Sequence, residues 1–429
     1  MQKLTDYRVK NDAYTLHLIE TKKFKTNTIA IKFSRPLERE NITERALLPF
    51  VLQKGSKSYP DERQLRLKLD ELYGSKFSIN SGKKGENHVI TFVLDFPNDK
   101  FIQGENELVH ECLNFLYDIV FNPNITDNQF KKSIVEKEKE TLTNKIKAII
   151  DEKMQYANMR LIDEMCKDEK YSIHSHGYLE DMDQINEETL YKIYREMIED
   201  DRMDFYIVGD FDKHEMEKQI INVFNIERQS TVKTVVSEPI KVNETNTVIE
   251  KQKVQQAKLH IGYRTGITYQ DPNYYALQVF NGIFGGFPNS KLFLNVREKH
   301  SLAYYAASRL ESNKGILFVF SGIAPDKFEQ AKDIILEQHE DIKNGHFTKE
   351  EVEQTKKSII HQFKETIDRA GGIIEFFYQQ AIAEAEINLD EIYNKINAVT
   401  KEDVIDIAKE VQLDTIYLLT AEDGGEINE

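Results

Sequence analysis

Four segments of this 429-residue chain recur, in the same order, in its second half. Ile29–Leu37 (IAIKFSRPL) matches Leu259–Ile267 (LHIGYRTGI), and both alternate apolar and polar residues as a half-buried strand does. Ala46–Gly55 (ALLPFVLQKG) matches Ala276–Gly285 (ALQVFNGIFG). HVITFVLDFPNDKF, ending at Phe101, matches GILFVFSGIAPDKF, ending at Phe328. INEETLYKIYREMIEDDRMDFYIVGDFD, from Ile185, matches VTKEDVIDIAKEVQLDTIYLLTAED, from Val399. The offsets are 230, 230, 227 and 214 residues. Strand–helix units look alike in many chains, but a shared order at a nearly constant offset points to duplication. The length alone would allow two to four unrelated domains; the repeat restricts it to two like halves.

Each half reads as a strand, a buried helix, an amphipathic helix, a hairpin, long helices and a closing strand. In the first half the amphipathic helix carries Leu65, Leu69, Leu72 and Tyr73 on one face of a 3.6-residue period. Ser81–Asn87 (SGKKGEN) reads as the hairpin turn, and Asp204–Gly209 (DFYIVG) as the last strand. This grouping predicts an α+β fold, with two homologous domains, each a mainly antiparallel sheet with helices packed on one face. The polar, β-branched stretch Glu227–Glu250 reads as a linker. The expected division is therefore 1–226, a linker at 227–250, and 251–429.

Composition excludes several functions. With 57 basic and 73 acidic residues the formal charge is −16, which disfavours a nucleic-acid groove or an anionic membrane surface. Two isolated cysteines, Cys112 and Cys166, make neither a disulfide framework nor a zinc ribbon. The N-terminal segment lacks the apolar core of a signal peptide, and no run of 18 apolar residues occurs, so a cytoplasmic chain without a membrane span is expected.

Motifs for chemistry are sparse. Among 11 histidines there is no His-Glu-x-x-His or His-x-x-Glu-His. His174 and His176 sit two residues apart in YSIHSHGY, but zinc wants three or four ligands and no others lie nearby, so a polar loop is the expected setting. The Gly-rich stretch Asn281–Lys291 (NGIFGGFPNSK) lacks the Gly-Lys-Ser/Thr ending of a phosphate cradle. Its glycines read as permitting a sharp turn and a close approach to another chain.

Ser290–Gly315 (SKLFLNVREKHSLAYYAASRLESNKG) carries a family resemblance. With Gly285-Gly286 before it, the order Ser290-Lys291-Leu292-Phe293, Arg297-Glu298 and Leu302-Ala303-Tyr304 closely resembles the second-half signature of the insulinase/pitrilysin family of zinc metallopeptidases. QKGSKSYPDE, GYLEDMDQINEETL and YIVGDFD extend the resemblance over essentially the whole chain. It implies two homologous α+β domains joined by a linker, which also explains the repeat.

The departure from the family pattern is informative. The family's zinc motif, His-x-x-Glu-His, precedes a Lys-Gly-Thr/Ser. Counting back from Lys54-Gly55-Ser56 places it on Ala46, Leu47, Leu48, Pro49 and Phe50. Alanine and phenylalanine offer no lone pair to zinc, and proline has no carboxylate to take a proton from water. Pro49 is also unusual inside a helix, and Asn41 with Glu44 fits a capping box at that helix's start. The family's third ligand would fall near Glu138 or Glu140, within a charge run that reads as a solvated helix face. The chain alone is therefore not expected to bind the family's zinc.

Arg297 and Tyr304 remain. They are seven residues apart, so a helix carried through would place both on one face. In the family, the matching pair reaches across to a zinc site, binds substrate and steadies the oxyanion of the tetrahedral intermediate. The resemblance implies a non-zinc subunit of a heterodimeric peptidase, acting in trans through Arg297 and Tyr304 on a partner that holds the zinc. Gly285 and Gly286 would line the substrate chamber or the chain–chain contact. The expected partners are a zinc-bearing paralogue and a short or unfolded peptide, with a homodimer when the chain is alone. Two other readings stay open. One is a non-enzymatic peptide-binding or scaffold protein; the chain also resembles the bacterial subgroup associated with elongation factor P modification. The other is a hydrolase with a relocated metal site at His174 and His176.

Overall fold

The computed structural model describes residues 4–102, 107–235 and 240–422. They form two compact units that interleave in sequence. The first comprises Met1–Lys147, Ile173–Val235 and Thr366–Ile382; the second comprises Ala148–Ser172, Val236–Glu365 and Ala383–Glu429. Each unit thus takes one helical segment from the far side of the segment read as a linker.

The first unit contains β1 (Tyr7–Lys10), β2 (Thr15–Glu20), β3 (Thr26–Pro36), β4 (Lys76–Lys84), β5 (Asn87–Pro97), a short ladder of β6 (Ile125–Thr126) with β7 (Gln129–Phe130), and β8 (Arg202–Gly209). Its six-stranded sheet has the order β1-β2-β8-β3-β5-β4. Only the β2–β8 pairing is parallel. Period-two alternation sends Ile29, Ile31 and Phe33 of β3, with Met203, Phe205 and Ile207 of β8, into one core. Helices Ile42–Leu52, Leu108–Phe121 and Glu187–Asp200 bury their apolar faces in that core. The opposite face carries Lys32 and Tyr206 and is covered by a single helix, Ala370–Ile382. Lys32 Nζ lies 2.5 Å from Glu375 Oε1 and 4.4 Å from the centre of the Tyr378 ring, which meets Tyr206 edge-on.

The second unit contains β9 (Asn246–Gln252), β10 (Ala257–Arg264), β11 (Ala303–Glu311), β12 (Ile316–Ile323) and β13 (Gln412–Ala421). Read from one edge the order is β9-β13-β10-β12-β11, with only β9–β13 parallel. Strand for strand and direction for direction, this repeats β2-β8-β3-β5-β4. The four matched sequence segments occupy equivalent places, so the duplication extends to topology. Here too one helix, Lys153–Met165, covers the second face, packing Ala157, Leu161 and Met165 against Ile316, Phe318, Tyr417 and Leu419. Gly262 of β10 lets that helix approach closely, since a Cβ there would push Met165 Sδ aside.

Three local expectations shift. The first-unit hairpin turns on Gly85 and Glu86 alone, with Lys84 opposite Asn87 and Gly85 at φ 52°. The amphipathic helix ends at Glu71, so Leu65 and Leu72 are buried, whereas Tyr73, at φ 58°, is 51% exposed. The final part of the segment read as a linker is the edge strand β9, whose polar, alternating sequence suits a strand covered on one face only. Residues 236–239 of that segment lie outside the described residues.

Candidate functional site

Helix Ile42–Leu52 runs unbroken through Pro49. Ala46 is 1% exposed, its neighbours Leu47, Leu48, Val51 and Leu52 are buried, and Pro49 is buried with them. Phe50 is half-buried, with the Lys145 ammonium 5.2 Å from its ring centre. Packing therefore fills the positions where ligands would stand. Asn41 does occupy the N-cap, but its side chain caps nothing. Its Nδ2 donates to Glu38 Oε2 at 2.9 Å, so the expected capping box with Glu44 does not form.

The third-ligand region corrects the sequence reading. Glu140 is exposed as expected, but Glu138 is 2% exposed. It shares the buried stripe Val135, Glu138, Leu142 and Ile146 of helix Lys132–Asp151, an apolar periodicity that the surrounding charge run conceals. Its charge is compensated by Lys54 Nζ at 3.3 Å, and Lys54 also pairs with Glu62. Burial opposes the Lys54 charge, but Glu62 and Glu138 outweigh it and hold its pKa above that of an ordinary lysine. An ammonium thus serves the one buried carboxylate in the region.

His174 and His176 stack, with ring centres 5.4 Å apart, and His174 stacks on Tyr178 at 4.8 Å. Among the described residues, no group of three His, Cys, Asp or Glu side chains is disposed to hold a metal ion. The residues present do not fit the family's zinc. Metal analysis of the purified chain is expected to give far less than one zinc per chain, with a melting temperature unchanged by EDTA. Stoichiometric zinc removed by EDTA, with a fall in Tm, would refute this reading.

Arg297 and Tyr304 do not share a helix. Phe293–Lys299 is a π-helical turn, and it stops because Ser301 turns the backbone to φ 50° and Leu302 N–H bonds back to Val296 O. Strand β11 starts at Ala303. Arg297 is 44% exposed, its guanidinium 4.7 Å from the Phe293 ring centre and 3.8 Å from Glu298. Tyr304 is the residue at which the β11–β12 register shifts, since Ala303 opposes Ile323 and Tyr305 already opposes Gly322. A bulge of this kind re-aims a side chain. Tyr304 is 73% exposed, the most exposed of the large hydrophobic residues described.

The Gly-rich segment is also a π-turn, Gly282–Gly286. Gly285 is buried, and an added Cβ would lie 2.7 Å from Ser308 N and from Leu292 Cδ1. Within the chain, its close approach is to strand β11. Gly286 is exposed. Two contacts that the sequence did not signal fix these turns. Ser308 Oγ donates to Asn281 Oδ1 at 2.7 Å, and Asn295 Nδ2 donates to Gln338 Oε1 at 2.7 Å. Their partners are 27 and 43 residues apart, beyond any local pattern.

Two like α+β units, the first with Ala and Phe at the zinc-ligand positions and Pro at that of the catalytic glutamate, define a metallopeptidase homologue with no metal-binding set among the described residues. Comparisons agree. The family model described as "Peptidase M16 inactive domain" matches residues 184–359. A protein of Bacillus subtilis (strain 168), named "Probable inactive metalloprotease YmfF", is 46% identical over 424 residues, covering 99% of this chain and all of that one. Another from the same organism, "Uncharacterized zinc protease YmxG", is 24% identical over 314 residues, covering 71% and 73%. The crystal structure of a conserved protein from Enterococcus faecalis V583 matches with TM-score 0.91 and 32% identity, over 98% of this chain and 100% of that one. The chain belongs to the M16, or insulinase/pitrilysin, peptidase family, as an inactive metalloprotease homologue. Among the described residues no helix is long and apolar enough to cross a membrane.

Proposed function

We propose that this chain is the non-zinc subunit of a heterodimeric, cytoplasmic M16 peptidase acting on short or unfolded peptides. The observation that carries the reading is Tyr304, a large side chain projected 73% exposed from a β-bulge, close in sequence to the exposed Arg297. A phenol exposed in this way is available as a donor to a second chain. The zinc of the partner would supply the activated water and polarise the scissile carbonyl. Arg297 and Tyr304 would donate hydrogen bonds to the developing oxyanion and to the peptide, as a guanidinium and a phenol are suited to do. The exposed backbone at Gly286, beside buried Gly285, would accept an extended peptide.

The test combines the purified chain with the zinc-bearing paralogue of its organism and follows cleavage of fluorogenic peptides. Activity is expected only with both chains, and Arg297→Ala with Tyr304→Phe should lower kcat by about 100-fold or more, the scale of losing oxyanion donors. Unchanged activity in that double variant would sink the in-trans role. A chain that binds peptide but supports no cleavage with its paralogue would instead be a peptide-holding scaffold, the role implied by resemblance to the subgroup associated with elongation factor P modification.

A further inference from the structure

The two units are copies, so each is a control for the other. Ala30 faces Tyr206 in the first sheet, and His260, 230 residues on, faces Tyr417 in the second. Ile207 and Leu418 are therefore equivalent, and so are the residues they face across the parallel ladder, Leu18 of β2 and Ile249 of β9. Their environments differ. Leu18 is 1% exposed, because β1 pairs beyond β2, with Tyr7 opposite Leu18, and helix Lys213–Val223 packs over β2. Ile249 is 54% exposed, and among the described residues β9 pairs with β13 only. The edge that the first unit closes is open in the second.

We propose that β9 is closed by β9 of a second copy of this chain, the two strands running antiparallel about a two-fold axis at Ile249. The strand's own sequence selects this register. Centring on Ile249 sets it against the partner's Ile249, Thr247 against the partner's Lys251, Val248 against the partner's Glu250 and Asn246 against the partner's Gln252. Like charges are nowhere opposed. Moving the axis to Glu250 would oppose two carboxylates, and moving it to Lys251 two ammonium groups, both unfavourable in directly opposed cross-strand pairs. Centring on Val248 would leave each exposed isoleucine facing a threonine. The other face of β9 is already satisfied: Glu250 accepts from Tyr156 Oη at 2.6 Å, Tyr417 Oη at 2.9 Å and Arg160 Nε at 3.2 Å. The new contacts therefore concentrate on the Thr247, Ile249 and Lys251 row. β9 and β11 are opposite edges of the five-stranded sheet, so this pairing leaves Tyr304 accessible and does not depend on the peptidase reading.

Sedimentation of the full chain tests this. The wild type is expected at twice the chain mass, and Ile249→Lys, which opposes two ammonium groups at the axis, at the single-chain mass. A second measurement fixes the register. Ile249→Cys places two thiols directly opposite, within the Cα separation a disulfide spans, whereas Lys251→Cys places them about four residues, or about 13 Å, apart. Native Cys112 and Cys166 are buried and do not compete. Mild oxidation should therefore trap a covalent dimer of Ile249→Cys at least tenfold faster than of Lys251→Cys. A monomeric wild type, or equal trapping of the two variants, would overturn the proposal.

Discussion

Asp201→Ala is expected to lower the stability of the first unit by about 3–5 kcal/mol, the usual cost of removing one partner from a buried ion pair. Asp201 and Arg45 are both fully buried, with Nη2 and Oδ2 2.6 Å apart. Burial raises the Asp201 carboxyl pKa, and it lowers that of Arg45 although Asp201 opposes the shift. Both directions say that desolvation is not fully repaid, so the pair is no large net stabiliser. Without Asp201, though, Arg45 would be left charged in the core. Arg35 Nη1 lies 3.7 Å from the same carboxylate, and Arg228 donates to the Asp201 backbone oxygen, so several guanidinium groups would lose one shared counter-charge. At roughly 2–4 °C per kcal/mol, the first unit should melt about 6–20 °C lower. The double variant Arg45→Met with Asp201→Leu removes both charges at similar volume and should fall within about 1 kcal/mol of wild type. A loss below about 1 kcal/mol for Asp201→Ala in urea denaturation would show that Arg45 finds water or another anion. Arg45 precedes Ala46 on the helix of the degenerate ligand positions. That helix is therefore held by a charge anchor that does not depend on a metal, and the ligands can be lost while the fold remains.

What the sequence disclosed and what it concealed divide along the range of the interactions. The repeat was legible because strand alternation and helix–strand order are local, and both halves preserve them at a fixed offset. The loss of His and Glu from the helix before Lys54 was legible for the same reason. The bulge at Tyr304 was not, since it exists only in the register between β11 and β12, and a seven-residue spacing suggested a helix that Ser301 breaks. Glu138 was misread because one buried carboxylate within EKEKE looks like its solvated neighbours until the stripe from Val135 to Ile146 is seen against the core. A division at 227–250 keeps helices Lys153–Met165 and Ala370–Ile382 within the first and second halves, whereas each belongs to the other unit. Only the second faces of the two sheets require that exchange, and no local pattern records it.

Acidification from pH 7.5 to pH 5 is expected to cost the second unit about 4 kcal/mol. His260 is fully buried on β10, edge-on to Phe320, and burial pushes its pKa down to about 3. His339 shares its Nε2 proton with Ala408 O at 2.9 Å and packs against Tyr263, and burial brings its pKa down to about 4. Both lie below the value of about 6.5 for an unfolded histidine. The unfolded chain therefore binds more protons between these limits, and stability rises with pH there. The stabilising contribution is complete above about pH 6.5 and is lost as pH falls towards the folded values. At pH 5 each histidine costs about 2 kcal/mol, since 1.5 pH units below 6.5 are worth about 1.4 kcal/mol each. In the first unit two buried histidines act in opposite senses. His88, buried and beside Arg45, also lies well below its ordinary value and acts in the same sense. His17 acts in the opposite sense: burial lowers its pKa, but Asp204 and Asp6, 3.5 and 2.8 Å away, raise it overall. Its contribution is present below pH 6.5 and is lost as pH rises, so it offsets His88. Denaturant unfolding at the two pH values, with hydrogen exchange to tell the units apart, reads the difference. His260→Leu should remove about half of the second unit's loss; a second unit whose stability is flat from pH 7.5 to 5, or a His260→Leu variant with the wild-type slope, would show that these imidazoles protonate within the folded unit.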